Sequence, residues 1–183
     1  SPNDNKFIDI NDIDYNNIVV IKNNDINELN NSFNNSFNYQ FKGFTLKNDT
    51  GRINYLNNEY IKVHELKQKC NFNNKLLTFL YLRQNNLLKT YLSYFKDDLQ
   101  LFDKYRNIIY IMKNELHDNY INYFIKKSIE KKNIPYHLKP LLFDLHTLYK
   151  KNGVKIKNEI INQYIFELPL KKLCFVLNYY IVN

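Results

Sequence analysis

The sequence predicts an α+β fold that is predominantly helical: a short strand-helix-strand-strand segment over residues 1–60, then an all-α domain over 61–183. Three observations carry this. A β-branched run and an aromatic alternating run, the latter closed by a turn signal, lie before residue 60. Apolar residues then recur at three- and four-residue spacing as far as Tyr180. The charge divides in the same way. Residues 1–41 hold two Lys against six acidic groups, a net of −4; residues 42–183 hold 24 basic and 12 acidic groups, a net of +12. Two segments with different tasks are expected from such a split.

Residues 1–14 show no clear period. Ile18-Val19-Val20-Ile21 is a continuous β-branched run, the mark of a buried strand. Asp25 and Glu28 form a capping box ahead of Ile26, Leu29, Phe33 and Phe37, which predicts a short amphipathic helix. Tyr39 to Leu46 alternates and is aromatic, a second strand. Asn48-Asp49-Thr50-Gly51 turns the chain, and Arg52 to Leu56 returns as a third. Helices follow over 60–69, 74–85 and 87–95. Asp97 and Asp98 are placed to cap a long helix running to about Lys131, with a stripe that includes Phe102, Tyr105, Ile109, Met112, Leu116 and Tyr120. Ile134-Pro135 interrupts the helical pattern. The spacing then predicts helices over 140–151, with Gly153 at its C′ position, over 157–168, and from Pro169 at N1 onward.

Composition excludes several classes. An apolar fraction of 44% is too high for a disordered chain. Two Cys make neither a disulfide scaffold nor a Cys-rich zinc module. No apolar run is long enough to span a bilayer, and SPNDNKFIDI lacks the pattern of a signal peptide, so a cytoplasmic, non-secreted protein is expected. Three Gly leave no room for a phosphate-cradling loop, and no cofactor is expected. The 32 Asn and the absence of Ala point to an AT-rich coding sequence, which by itself raises Lys and Tyr.

FKGFTLKNDTGRINYLNNEYIKVHELK (41–67) resembles the strand-turn-strand and basic helix of bacteriophage-type, ATP-dependent RNA ligases, as encoded by giant nucleocytoplasmic DNA viruses. The likeness continues through YLRQNNLLKTYLSYF (81–95), HLKPLLFDLHTLY (137–149) and ELPLKKLCFVLN (167–178), which resemble a helical C-terminal domain of the same viral proteins; residues 39–178 are about three quarters of the chain. The resemblance implies a nucleotidyltransferase whose Lys nucleophile sits in K-x-D-G. This chain has no Asp-Gly dipeptide. Lys42, beside Gly43, stands where the family has a metal-binding carboxylate, and a cation cannot ligate a metal. Asn54 and Leu56 stand where the family has phosphate-contacting lysines. Either the chain is the C-terminal part of a longer enzyme, or the nucleotidyltransferase part is a degenerate remnant. Substitution at 42, 54 and 56 together favours degeneracy.

Other chemistry is sparse. His64, His117, His137 and His146 have no pairing that makes a zinc or acid-base site, and Cys70 and Cys174 flank nothing metal-like. The basic residues are more informative. Lys62, Lys67 and Lys69 share a short helix. Lys126, Lys127, Lys131 and Lys132 cluster at the end of the long one. Lys150, Lys151, Lys155 and Lys157 straddle Gly153, and Lys171-Lys172 follow Pro169. Tyr60, Tyr81, Tyr91, Tyr94, Tyr105, Tyr123 and Tyr149 are interleaved. Lysines for phosphates and aromatics for bases make a recipe for RNA binding; Lys at helix C-termini is also favourable without any ligand. The expected function is a non-catalytic RNA-binding or RNA-positioning module derived from a ligase-like protein. The alternatives are a protein-protein interaction module in a viral RNA-processing or translation assembly, and the C-terminal domain of an active ligase.

Overall fold

The computed structural model describes residues 39–40, 42–48 and 50–182. The predicted strand at 18–21 and helix from Asp25 to Phe37 lie outside them. The chain divides into two compact units, the first ending at Lys69 and the second beginning at Cys70. As predicted, it is mostly helical with a little strand.

In the first unit, strands β1 (Gly43–Asn48) and β2 (Gly51–Leu56) form an antiparallel hairpin, with Gly43 opposite Leu56 and Asn48 opposite Gly51. The turn lies where the Asn-Asp-Thr-Gly signal put it, but β1 starts only at Gly43; Tyr39 and Gln40 belong to a turn. Gly43 has φ 150°, and a Cβ there would lie 2.1 Å from the Tyr55 carbonyl oxygen, so only glycine fits this approach of the two strands. Across the ladder Thr45 donates from Oγ1 to Asn54 Oδ1 at 2.8 Å. Helix α1 (Asn58–Lys69) follows directly. Its cap is Asn57, whose Oδ1 accepts from the Glu59 N–H at 2.9 Å while its own N–H donates to the Lys42 carbonyl at 2.9 Å. That bond ties α1 to the hairpin, so the division falls after the helix rather than after residue 60.

The second unit opens with α2 (Lys75–Gln84), capped by Asn74 Oδ1 on the Leu76 N–H at 2.8 Å. It ends with Asn86 in the left-handed region, φ 57°, where Leu87 N–H reaches back to Leu82 O and Asn86 N–H to Arg83 O. Asn here does the work that Gly does in glycine-rich chains. Helix α3 (Leu88–Tyr94) and a 3₁₀ turn (Lys96–Asp98) lead into α4 (Leu99–Tyr120). Asp98 does not cap α4. Its own backbone is already helical, and its carboxylate instead accepts from Lys75 Nζ at 2.6 Å and from the Tyr91 hydroxyl at 2.7 Å. Burial opposes ionisation of Asp98, yet these two donors hold its carboxyl below the usual range.

The long helix also stops sooner than its apolar stripe predicts. A π turn (Ile121–Ile125) follows α4, closed by Lys126 N–H to Ile121 O and Ser128 N–H to Asn122 O, both at 2.8 Å. Lys127 then takes φ 54° and ends it. Lys131 and Lys132 therefore lie on a separate 3₁₀ turn (Lys131–Asn133). Ile134 is extended before Pro135, and α5 (Lys139–Asn152), α6 (Asn158–Glu167) and α7 (Leu170–Val182) complete the unit. Gly153 closes α5 at φ 66° with its N–H on Tyr149 O. Pro169 lies just ahead of α7, and its carbonyl accepts from Leu173 N–H at 3.1 Å.

Helix α4 packs against α2, α5, α6 and α7, and α2 packs against α7. Phe79, Leu80, Phe102, Met112, Leu116, Leu141, Leu142, Leu145, Ile165, Leu173 and Leu177 fill the space between them. Each large apolar side chain buried here contributes about 1.5–3 kcal/mol. One polar chain crosses this core. The Tyr180 hydroxyl donates to Glu115 Oε2 at 2.5 Å, and His137 Nε2 lies 3.1 Å from the Tyr180 hydroxyl oxygen. The single tyrosine proton is committed to Glu115, so His137 carries its proton on Nε2 and donates it to Tyr180. His137 Nδ1 is buried without a partner, and the ring stacks on Tyr179 at 3.7 Å. Among the described residues no helix is long and apolar enough to cross a membrane.

Candidate nucleic-acid interface

On α1, Lys62, Lys67 and Lys69 are exposed but do not share a face. Lys62 and Lys69 are seven residues apart and aligned, with Glu59 and Glu65 on the same side. Lys62 Nζ pairs with Glu59 Oε1 at 2.7 Å. Lys67 lies on the other flank of the buried Val63–Leu66 stripe. The carboxylates on the side of the aligned lysines weaken the attraction of this helix for a phosphate backbone.

The second unit gives a more coherent arrangement. Phe143, His146, Tyr149 and Lys150 fall at helical spacing along α5. The five-residue closure of the π turn shifts Tyr123 and Phe124 out of the register of α4 and onto these residues. Phe124 stacks on His146 at 3.7 Å, with planes 11° apart. His146 is near-parallel to Tyr149, with planes 21° apart and centroids 5.9 Å apart. Near-parallel rings thus run from Phe124 through His146 to Tyr149, which is 40% exposed. Phe143 meets Tyr123 and Phe124 edge-on at 5.9 and 5.7 Å. Burial first, and then the neighbouring Lys150 ammonium, push the His146 pKa down, so its ring is neutral at pH 7. Its Nδ1 lies 3.4 Å from the Tyr120 hydroxyl.

Cations rim this cluster. Lys126 and Lys127 are exposed directly after the π turn. Lys131 Nζ lies 5.3 Å above the Phe143 ring, a cation-π contact. Lys132 is turned aside to Glu130 at 2.8 Å. Beyond Tyr149, Lys150 and Lys151 occupy the last turn of α5. Lys155 and Lys157 flank Ile156, which is buried and anchors the connection, so the extended backbone turns both lysines outward. Residues 126–132 carry a net +3 and residues 149–157 a net +4 with no acidic group.

Most of the tyrosines expected to meet bases make contacts within the fold. Tyr91 is buried and bonded to Asp98. Tyr81 packs on Phe72, Tyr105 on Phe79 and Phe102, Tyr123 on Phe143, Tyr60 on His64 and Tyr94 beside Phe95. Of the seven, Tyr149 alone is exposed. Phe124, Phe143 and His146 are the ring-bearing residues that sequence reasoning missed. Their signal was the shared helical spacing of 143, 146, 149 and 150, which is hidden when His146 is weighed only as a metal ligand.

No family model, curated protein or solved structure matches this sequence. Lys42, Gly43, Asn54 and Leu56, the positions weighed against ligase motifs, all lie on or beside the hairpin. Lys42 precedes β1 and offers its carbonyl to Asn57, Gly43 fits the strand crossing, Asn54 accepts from Thr45, and Leu56 is exposed. Among the described residues no three His, Cys, Asp or Glu come together to hold a metal.

Proposed function

We propose that this chain is a non-catalytic RNA-binding module whose second unit holds RNA. The observation that carries the reading is the Phe124–His146–Tyr149 run of rings, rimmed by Lys126, Lys127, Lys131, Lys150 and Lys151. Lysines neutralise backbone charge while an exposed ring end stacks an unpaired base, a combination that binds single strands with little sequence preference. The hairpin bearing Lys42, Gly43, Asn54 and Leu56 is, on this reading, the remnant of a nucleotidyltransferase, and its substituted motif positions support holding RNA over joining it. Cys70 and Cys174 are both free and buried, which accords with a cytoplasmic site of action.

Electrophoretic binding of a single-stranded RNA at 50 and 200 mM salt tests this. The affinity falls steeply as salt rises, and replacing Lys126, Lys127, Lys131 and Lys150 by Gln flattens the dependence. Affinity that ignores salt overturns the reading. Labelled ATP tests the ligase alternative on the parent coding sequence: adenylylation in the presence of a divalent metal establishes an enzyme.

A second reading is a protein-interaction module, favoured by one surface. On α7 Phe175 is 63% and Val182 82% exposed, and Tyr136, itself exposed, meets Tyr179 edge-on at 5.7 Å. This reading predicts co-purification with a partner and no RNA retention.

A further inference from the structure

Arg83, at the end of α2, is in an unusual position for a guanidinium. It is half-buried, with its carbon 5.3 Å above the Phe166 ring of α6, and its Nη1 is buried with no hydrogen-bond partner. Lys113 of α4 is also half-buried, and its Nζ donates to Asn162 Oδ1 of α6 at 2.7 Å. Arg83 lies over Phe166 and Lys113 on Asn162, four residues apart on one face of α6, so the two cations face the same stretch of that helix and Arg83 disfavours the charged form of Lys113. Among the described residues neither has a carboxylate partner. Burial holds the pKa of each below its ordinary value, with burial the leading cause for Lys113 and the nearby guanidinium adding to it.

A chain can bring two like charges out of water only at a cost, unless an opposite charge offsets it. Ion pairs among the described residues join Lys62 with Glu59, Lys75 with Asp98, Arg106 with Asp103, Lys132 with Glu130 and Lys172 with Asp144. The named side-chain groups around the two cations include no carboxylate, and the Tyr110 hydroxyl lies near Lys113 as well. The donors are the guanidinium, the Lys113 ammonium and, once its oxygen is occupied by Lys113, the Asn162 amide. Two cations and an amide on three helices, with no carboxylate among them, complement an oxyanion, and a guanidinium fork matches the edge of a phosphate.

We propose that Arg83, Lys113 and Asn162 form a phosphate-binding site, distinct from the run of rings and independent of whether those rings bind RNA. The phosphate bridges α2, α4 and α6 and relieves the repulsion between the two cations. It can be free phosphate or the terminal phosphate of a nucleic acid.

Thermal unfolding of the full chain decides this, with inorganic phosphate in one arm and a 5′-phosphorylated trinucleotide in the other, each matched in ionic strength with potassium chloride. A bound phosphate at roughly ten times its dissociation constant raises the melting temperature by about 3–6 °C. Arg83→Met and Lys113→Met each abolish that rise. Lys113→Met also melts higher than the native chain when phosphate is absent, because the repulsion is gone. A response to inorganic phosphate identifies a free-anion site; a response to the trinucleotide alone identifies a strand-end site. If neither probe shifts the native chain more than chloride does, or if both variants respond as the native chain does, the proposal is overturned.

Discussion

Replacing Tyr180 by Phe removes one oxygen and separates two partners. That oxygen accepts from His137 Nε2 at 3.1 Å and donates to Glu115 Oε2 at 2.5 Å. His137 is 2% exposed, so water cannot take the place of the hydroxyl, and Nδ1 already lacks a partner. In the variant both ring nitrogens are orphaned. A buried donor left unmade costs about 1–3 kcal/mol, and the lost bond to an ionised carboxylate adds to it, so about 2–3 kcal/mol is expected in total. Glu115 is only half-buried and regains water, which keeps its share small. The corresponding fall in melting temperature is about 5–10 °C. Urea unfolding followed by far-ultraviolet circular dichroism at pH 7.5 measures the loss as a shift of midpoint at unchanged slope. A loss under about 0.5 kcal/mol refutes the reasoning, since it means that the hydroxyl serves neither partner.

Burial holds the His137 pKa below the ordinary histidine value, with Glu115 opposing only in part. The unfolded chain therefore binds this proton first, and the stability it represents is present above about pH 6.5 and declines as pH falls toward the folded pKa. His137→Phe shrinks that decline in melts taken from pH 7 to 5, leaving the effect of His146, which is shifted in the same direction. Lys127→Gly relieves a non-glycine residue at φ 54° and raises the melting temperature by the equivalent of about 0.5–1 kcal/mol. Asp98→Ala strands the buried Tyr91 hydroxyl and costs about 2–3 kcal/mol by urea unfolding, whereas an exposed helix cap at that position would cost about 1 kcal/mol.

Most helices were legible because their apolar spacing coincides with local punctuation. Asn74 starts α2 with a capping side chain, and Gly153 ends α5 because the left-handed turn admits glycine without strain. The end of the long helix was not legible. Ile121 to Lys127 holds neither Gly nor Pro, and its apolar residues continue the helical period, so only the tertiary demand of Phe143 and His146 selects the wider turn. Asp98 was misread for a related reason: an acidic residue before a helix has the same sequence signature whether it caps that helix or answers a lysine 23 residues away. The candidate site was half legible. Lysines stay exposed almost wherever they fall, so the exposure of Lys126, Lys127, Lys131, Lys155 and Lys157 was legible. Tyrosine suits both core and surface, and its periodicity does not distinguish Tyr91 from Tyr149.

The Gln84 side chain donates from Nε2 to the carbonyls of Phe166 and Leu168, both at 2.7 Å, where α6 gives way to α7. One amide from the first helix of the second unit thus fastens the corner before its last helix, and α2 also lies against α7. These contacts join residues more than 80 positions apart. During synthesis the chain from Cys70 onward must wait until α7 has left the ribosome before its two ends can meet. Until then the parts of α2 and α4 that α7 covers stay open to solvent, although α4 already has α2, α5 and α6 to pack against.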